Sequence, residues 1–147
     1  LVGMALAGLD MAAWDALARV HQVSLVRLLG GAEKPIPAYG GIGYEGAAGA
    51  ERSAARWVEQ GYRGIKAKIG YPDVGEDVAV VRAMRRVAGP DVALMVDYNQ
   101  SLTPSEAAER LRVLDGEGLA WVEEPTLAHD YAGHALVARA ATTPIQC

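Results

Sequence analysis

Short β-rich runs alternate with helical runs along most of the chain, and this alternation restricts the possible folds more than any other feature. The pattern begins with apolar residues at helical spacing over 5–29, read as one helix or as two with a break near Val23 and Ser24. It then predicts strands at 36–39, 64–69, 93–98, 119–123 and 144–147, separated by helices at 50–60, 74–87, 104–114 and 130–140. Such βα repeats form either a doubly wound open sheet or a closed barrel.

Polar residues at the ends of the strands favour the barrel. Strands of an open parallel sheet are buried on both faces and read as continuous apolar runs, whereas three of these strands end in Lys66 and Lys68, Asp97 and Asn99, and Glu123 and Glu124. A TIM-type barrel places its active site at the carboxyl ends of its strands. We therefore predict an α/β fold, a partial TIM-type (β/α) barrel of about the first half of the strands.

The domain prediction is a helical segment over 1–31 that leads into the barrel, followed by the first βα units over 32–147. The sequence starts at Leu1 and stops at Cys147, within the last predicted strand. We therefore expect the barrel domain to be truncated at both ends.

Composition argues against several classes of partner. The net charge is -4 and the basic residues are scattered, so no basic stripe is available for nucleic acid. No apolar run reaches the roughly 18 residues that span a bilayer, which argues against a membrane partner. Cys147 is the only cysteine, so no internal disulfide can form. We expect a cytoplasmic protein whose partner is a small molecule.

The strand 64–69 carries the first chemical signal. Side chains alternate along a strand, so Lys66 and Lys68 share one face while Ile65, Ala67 and Ile69 share the other. If the two lysines point into a confined site, the repulsion of like charges lowers the pKa of at least one of them. A lysine of lowered pKa can act as a general base. The alternative is an exposed edge strand with both lysines in solvent.

The next two strands supply acids. Asp97 and Asn99 share one face of their strand, and Asp97 and Glu123 are predicted at neighbouring strand ends. Hard oxygen ligands of this kind suit Mg²⁺. Each acid alone is more typical of a helix cap or a loop. Both acids together, downstream of the strand that carries Lys66 and Lys68, are much less easily explained as caps. A cation beside a substrate carboxylate would stabilise the enolate formed when a base removes the adjacent proton, so we predict metal-assisted proton abstraction.

Three segments, 66–72, 96–102 and 121–127, resemble the mandelate racemase and muconate lactonizing enzyme family of the enolase superfamily, and most closely its mandelate racemase branch. The resemblance extends along the chain and includes 8–17, which is similar to the helix that leads into the barrel. Its implied activity is that of an isomerase, a racemase of a 2-hydroxy acid. It also implies a carboxylate substrate and a homo-oligomer at full length.

Residue roles follow from this resemblance. It implies that Lys68 is the catalytic base and Lys66 the lysine that tunes it, that Asp97 and Glu123 bind Mg²⁺, and that Asn99 contacts the substrate. A third carboxylate ligand and a histidine base are expected beyond Cys147. At residues 40–44, where mandelate racemase has a polar stretch with a serine, this chain has a glycine-rich segment, which is either a flexible βα loop or part of a reshaped substrate pocket.

Other functions stay open at this point. An acid-sugar dehydratase or a cycloisomerase of the same superfamily would use the same residues. A barrel lyase would instead form a Schiff base on Lys66 or Lys68. A third reading is an incomplete piece without activity, and residues 1–147 alone are expected to be inactive.

Overall fold

The structure, a computed structural model, describes residues 2–147 and contains two compact units divided after Pro37. The first unit holds helix α1, Val2–Val20, and the short helix α2, Leu25–Leu28. The predicted break near residues 23 and 24 is thus confirmed. Among residues 2–147, no helix is both long and apolar enough to cross a membrane.

The second unit, Ala38–Cys147, contains a five-stranded parallel sheet. Its elements in chain order are β1 (Gly40–Ile42), α3 (Gly46–Glu59), β2 (Gly64–Lys68), α4 (Val74–Ala88), β3 (Ala93–Asp97), α5 (Pro104–Leu114), a 3₁₀ turn (Asp115–Glu117), β4 (Trp121–Glu123), α6 (Tyr131–Ala140) and β5 (Ile145–Gln146). The strands lie side by side in sequence order. In a doubly wound sheet the order of the strands would reverse at a switch point. The sequential order therefore confirms the predicted partial barrel.

Local capping explains why two of the helices begin where they do. Thr103 accepts a hydrogen bond from the backbone N–H of Glu106, whose carboxylate accepts one from the backbone N–H of Thr103 in return. Pro104 occupies the first turn, where no N–H partner is needed. Asp73 caps α4 by accepting from the N–H of Gly75. These capping residues lie within a few positions of the helix start that they determine. The predicted bounds of α5, 104–114, are confirmed.

One face of the sheet is packed against the helices. Its side chains are fully buried: Ile65, Ala67, Leu94, Val96 and Val122. Burying one such aliphatic side chain contributes roughly 1.5–3 kcal/mol, so this face fixes the orientation of every strand. The intervening residues, among them Lys66, Lys68 and Asp97, must therefore lie on the opposite face.

The prediction for the first barrel strand was wrong. Strand β1 is Gly40–Ile42 rather than 36–39, and Ile36 is 80% exposed. A Cβ on Gly40 would overlap Cγ of Trp57, so only glycine lets the strand pass under this indole. The indole N–H of Trp57 also donates to the carbonyl of Gly41. Part of the glycine-rich segment is thus strand, because long-range packing outweighs the low strand propensity of glycine.

Candidate active site

The sheet register brings the polar ends of three strands together. Lys68 is paired with Asp97, and Asp97 is paired with Glu123 on the next strand. These residues therefore form one row across the carboxyl edge of the sheet, on the face opposite the packed helices. The reading of β2 as an exposed edge strand fails, because β1 and β3 flank it on both sides.

Lys66 forms an ion pair with both acids. Its Nζ lies 2.6 Å from Oε1 of Glu123 and 3.4 Å from Oδ2 of Asp97, and its side chain is 17% exposed. The ring of Tyr39 lies 5.4 Å away, within cation–π range. Burial by itself would lower the pKa of Lys66, but the hydrogen bond to Glu123 and the charges of both acids outweigh it and raise the pKa. Lys66 therefore carries a positive charge.

Lys68 is exposed and donates a hydrogen bond to Oδ1 of Asn99. Asn99 in turn donates through Nδ2 to both carboxylate oxygens of Asp97, at 3.0 Å each, and through its backbone N–H at 2.8 Å. The side-chain amide of Asn99 thus links the amine of Lys68 to both carboxylate oxygens of Asp97. All three predicted residues lie in a single hydrogen-bonded chain.

The loop after β3 is held in an uncommon backbone conformation. Asn99 and Gln100 have φ values of 48° and 64°, in the left-handed region, and Glu124 after β4 has a φ of 41°. Non-glycine residues adopt this region at a cost, and such residues cluster at functional sites. Backbone bonds hold the loop in place, since the N–H groups of Tyr98 and Gln100 donate to the carbonyls of Glu123 and Glu124.

The two acids fit a divalent cation. The ammonium of Lys66 lies within ion-pair distance of both Asp97 and Glu123, which shows that their oxygens converge on a common cation position. Carboxylate oxygens are the donors that Mg²⁺ prefers. Within residues 2–147, no cluster of three or more His, Cys, Asp or Glu side chains could enclose a metal. Within this part of the chain, Asp97 and Glu123 could therefore hold a cation only as a pair.

Glu124, adjacent to Glu123 in sequence, lies in a different environment. Its Oε1 accepts a hydrogen bond from Nε2 of Gln100, while Oε1 of Gln100 accepts from the N–H of Ala128. The carboxylate thus ties the loop after β4 to the loop after β3. The side chain takes no part in the Lys66 cluster.

One buried group beside this site was missed by the sequence reasoning. Asp77, in the first turn of α4, is fully buried and forms an ion pair of 2.7 Å with Arg110. Tyr98, between Asp97 and Asn99, donates its hydroxyl to the same carboxylate at 2.9 Å. An acid in the first turn of a helix is ordinary, and its side-chain partners, Tyr98 and Arg110, lie 21 and 33 residues away. No local signal could have identified this cluster.

Comparison with protein families gives two matches. Residues 49–147 match the enolase C-terminal domain-like family, and residues 1–30 match the N-terminal domain of the mandelate racemase/muconate lactonizing enzyme family. A crystal structure of an enolase from Bradyrhizobium, in complex with magnesium and mandelic acid, is 45% identical with a TM-score of 0.84. The match covers 98% of this chain and 40% of that one.

Curated relatives carry out several different reactions. The 3,6-anhydro-alpha-L-galactonate cycloisomerase of Streptomyces coelicolor is 38% identical over 92% of this chain and 38% of its own length. The o-succinylbenzoate synthase of Geobacillus stearothermophilus is 42% identical over 97% of this chain and 37% of its own length. The chain thus spans less than two fifths of these relatives.

Proposed function

Because this chain belongs to the enolase superfamily, in the mandelate racemase and muconate lactonizing enzyme family, we propose that it supplies part of an active site that removes the α-proton of a carboxylate substrate. The observation that carries this proposal is the row of Lys68, Asp97 and Glu123 along one sheet edge, with Lys66 and Asn99 bonded into it. The lysine proposed as the base and the two acids proposed as metal ligands therefore lie next to each other.

Lys68 is the proposed base. It is the exposed lysine of the pair, so a substrate can reach its amine, whereas Lys66 is mostly buried and engaged with two acids. Lys66 lies two residues along the same strand, and its ion pairs with Asp97 and Glu123 keep it charged. Asn99 accepts a hydrogen bond from Lys68 and so holds the amine in one place.

Asp97 and Glu123 are the proposed Mg²⁺ ligands. They would hold the metal together with a carboxylate contributed from outside residues 2–147. When bound, Mg²⁺ would offset the negative charge that develops on the substrate carboxylate as the proton leaves. Magnesium is bound in related crystal structures from Bradyrhizobium and Streptomyces coelicolor, which supports the same cofactor here.

The finer proposal is a mandelate racemase-like isomerase that acts on a 2-hydroxy acid. Mandelic acid in the Bradyrhizobium relative supports it. A dehydratase or cycloisomerase of acid sugars is the second candidate, supported by the L-talarate/galactarate dehydratase of Salmonella typhimurium and the cycloisomerase of Streptomyces coelicolor. These reactions share the first step, removal of the α-proton, and differ in their later steps.

A Schiff-base lyase is less well supported. Schiff-base formation requires a neutral amine, and the acids beside Lys66 raise its pKa and keep it protonated. Asp97 and Glu123 would also have no direct role in that chemistry. Borohydride reduction with a ketone substrate should therefore leave no covalent adduct on either lysine.

The test is proton exchange in the full-length gene product. With Mg²⁺ in D₂O, deuterium should replace the α-proton of one enantiomer of mandelate, or the α-proton of galactarate. NMR follows this exchange. Lys68→Ala should slow this exchange on the order of a hundredfold or more, the usual share of a general base. Exchange at the parental rate in Lys68→Ala would overturn the assignment of Lys68.

A further inference from the structure

We propose that Asp77 is a positioning residue that sets the place of the Lys68 amine from the helix side of the sheet. This inference rests on the proposed function, because it assigns Asp77 a task in the same proton transfer. Asp77 itself is fully buried on α4 and cannot touch a substrate. Its influence must pass through the strand ends to which it is bonded.

All four hydrogen bonds of the Asp77 carboxylate reach groups near the strand ends or the helix beside them. Oδ1 accepts from the backbone N–H groups of Gly70 and Tyr71 at 2.9 and 3.0 Å. Oδ2 accepts from the hydroxyl of Tyr98 at 2.9 Å and from Arg110 at 2.7 Å. A buried carboxylate with this many partners holds a single orientation.

Two of these partners directly flank the proposed active-site residues. Gly70 follows Lys68 by two residues, and Tyr98 lies between Asp97 and Asn99 in sequence. The Asp77 carboxylate therefore bonds the backbone just after Lys68, the proposed base. It also bonds Tyr98, the residue before Asn99, whose side-chain amide accepts a hydrogen bond from Lys68. The Lys68 to Asn99 hydrogen bond joins two strand ends that Asp77 contacts from the opposite face.

The turn after Lys68 is built for this bond. Gly70 has a φ of 114°, which side chains rarely adopt, and a Cβ there would lie 3.2 Å from Oγ of Ser101 and 3.4 Å from the Tyr98 ring. The chain can therefore turn its N–H towards Asp77 only because residue 70 is glycine. Arg110 also donates to the carbonyl of Tyr71 at 2.8 Å, so the same turn is held from both sides.

The network also reaches the loop after β1. The hydroxyl of Tyr71 accepts a hydrogen bond from the N–H of Gly46 at 2.7 Å, and its ring stacks on Tyr44 with centroids 4.0 Å apart. Three consecutive βα loops are thus tied to one buried carboxylate. Misplacement of a reacting group by about 1 Å can cost up to a hundredfold in rate, so loosening this tie should act on the chemical step.

The test separates positioning from mere stability. Tyr98→Phe removes one hydrogen bond from Asp77 and keeps the buried ring, and Asp77→Asn replaces the charged partner. Both are assayed in the full-length protein by deuterium exchange into mandelate, or into galactarate if mandelate is not exchanged. Rates are divided by the folded fraction from circular dichroism at the assay temperature.

Tyr98→Phe should lower kcat about tenfold with KM changed less than about threefold, because an interaction felt only in the transition state has been weakened. Asp77→Asn should do the same to a greater extent. If Asp77→Asn does not fold, Tyr98→Phe decides alone. The matched control is Arg85→Met, since Arg85 on the same helix bonds the carbonyls of Gly89 and Val92 at the opposite end of β3.

Arg85→Met should lose stability and keep kcat per folded molecule. The proposal is overturned if Tyr98→Phe also keeps kcat per folded molecule, or if it raises KM and leaves kcat unchanged. Lys68→Ala, measured in the same assay, distinguishes this proposal from the proposed function. Parental exchange in Lys68→Ala rejects Lys68 as the base in the proposed function, whereas loss of exchange in Lys68→Ala beside an unaffected Tyr98→Phe rejects only the role of Asp77.

Discussion

Two clusters of ion-paired side chains lie at the same end of β2 and β3, on opposite faces of the sheet. They differ in burial and in the number of hydrogen bonds. In the first, Lys66 meets Asp97 and Glu123, and the three side chains are 17, 5 and 16% exposed. In the second, Asp77 meets Arg110 with no exposure of the acid at all. Similar charges are therefore used once in a partly exposed cluster and once around a fully buried acid.

The number of hydrogen bonds that reach the carboxylate oxygens separates Asp77 from Glu123 but not from Asp97, which accepts three from Asn99. The Asp77 carboxylate accepts four hydrogen bonds from the protein, so it has no capacity left for a ligand. The Glu123 oxygens receive only Lys66 and a 3.3 Å contact from the Trp121 indole. A carboxylate with free capacity beside a cation is suited to exchange partners, whereas a saturated one is suited to hold a structure.

The largest expected effect breaks the buried cluster. Arg110→Met leaves Asp77 charged and buried without its cation, which should lower the free energy of unfolding by about 3–5 kcal/mol. Denaturant unfolding of the full-length protein measures it. The control is Arg86→Met, which removes a surface pair with Glu51 and should cost less than about 1 kcal/mol. Equal losses in the two variants would show that the Asp77 pair is not structurally special.

A smaller effect is expected from the residue that joins the base to the acids. Asn99→Ala removes both side-chain hydrogen bonds to Asp97, and loss of such an outer partner costs roughly 10–100-fold in metal affinity. Calorimetric titration with Mg²⁺ would measure this loss. Gln100→Ala is the matched control, because Gln100 has the same left-handed backbone but bonds Glu124. A similar loss in both variants would point to the loop conformation instead of the Asp97 contact.

The smallest effect concerns a third carboxylate, Asp115, which is held by backbone N–H groups without a cation. Burial would raise its pKa, but hydrogen bonds from Thr142 and Thr143 outweigh it and lower the pKa. A lowered pKa in the folded state means stability that is present above the unfolded value near 3.9 and is lost as the pH falls through the folded value. Asp115→Asn should therefore cost about 1 kcal/mol at pH 7 and less in strong acid.

Unfolding curves of the parent and Asp115→Asn at several pH values between about 2 and 7 check this prediction. The two stabilities should converge as the pH falls. A constant difference over that range would mean that the charge of Asp115 contributes nothing and that backbone hydrogen bonding alone holds a carboxylate.

Sequence patterns predict the features that depend on neighbouring residues, but not those that depend on distant contacts. The bounds of α5 follow from Thr103, Pro104 and Glu106, which lie close together in sequence, and the shared face of Lys66 and Lys68 follows from strand periodicity. Strand order and the partial barrel follow from the βα repeat and the polar strand ends. These features need no knowledge of distant contacts, so sequence patterns are sufficient for them.

Features that depend on distant partners escaped prediction. Strand β1 is formed by glycines because Trp57 packs on Gly40, and the importance of Asp77 arises from Tyr98 and Arg110. The ion pair between Lys66 and Glu123, 57 residues apart, was likewise not predicted. The roles of the site residues, the boundary at residues 31 and 32, the cytoplasmic location and the homo-oligomer stay predictions.

The central claim is that Asp97 and Glu123 bind the metal, and a comparison of the neighbouring Glu123 and Glu124 tests it most directly. Glu123→Gln and Glu124→Gln make the same chemical change one residue apart, and calorimetric titration with Mg²⁺ in the full-length protein compares them. We predict at least about a tenfold loss of affinity for Glu123→Gln, as for partners of a metal site, and less than about a twofold change for Glu124→Gln. Unchanged affinity in Glu123→Gln, or an equal loss in both variants, would contradict the assignment of Glu123 as a metal ligand.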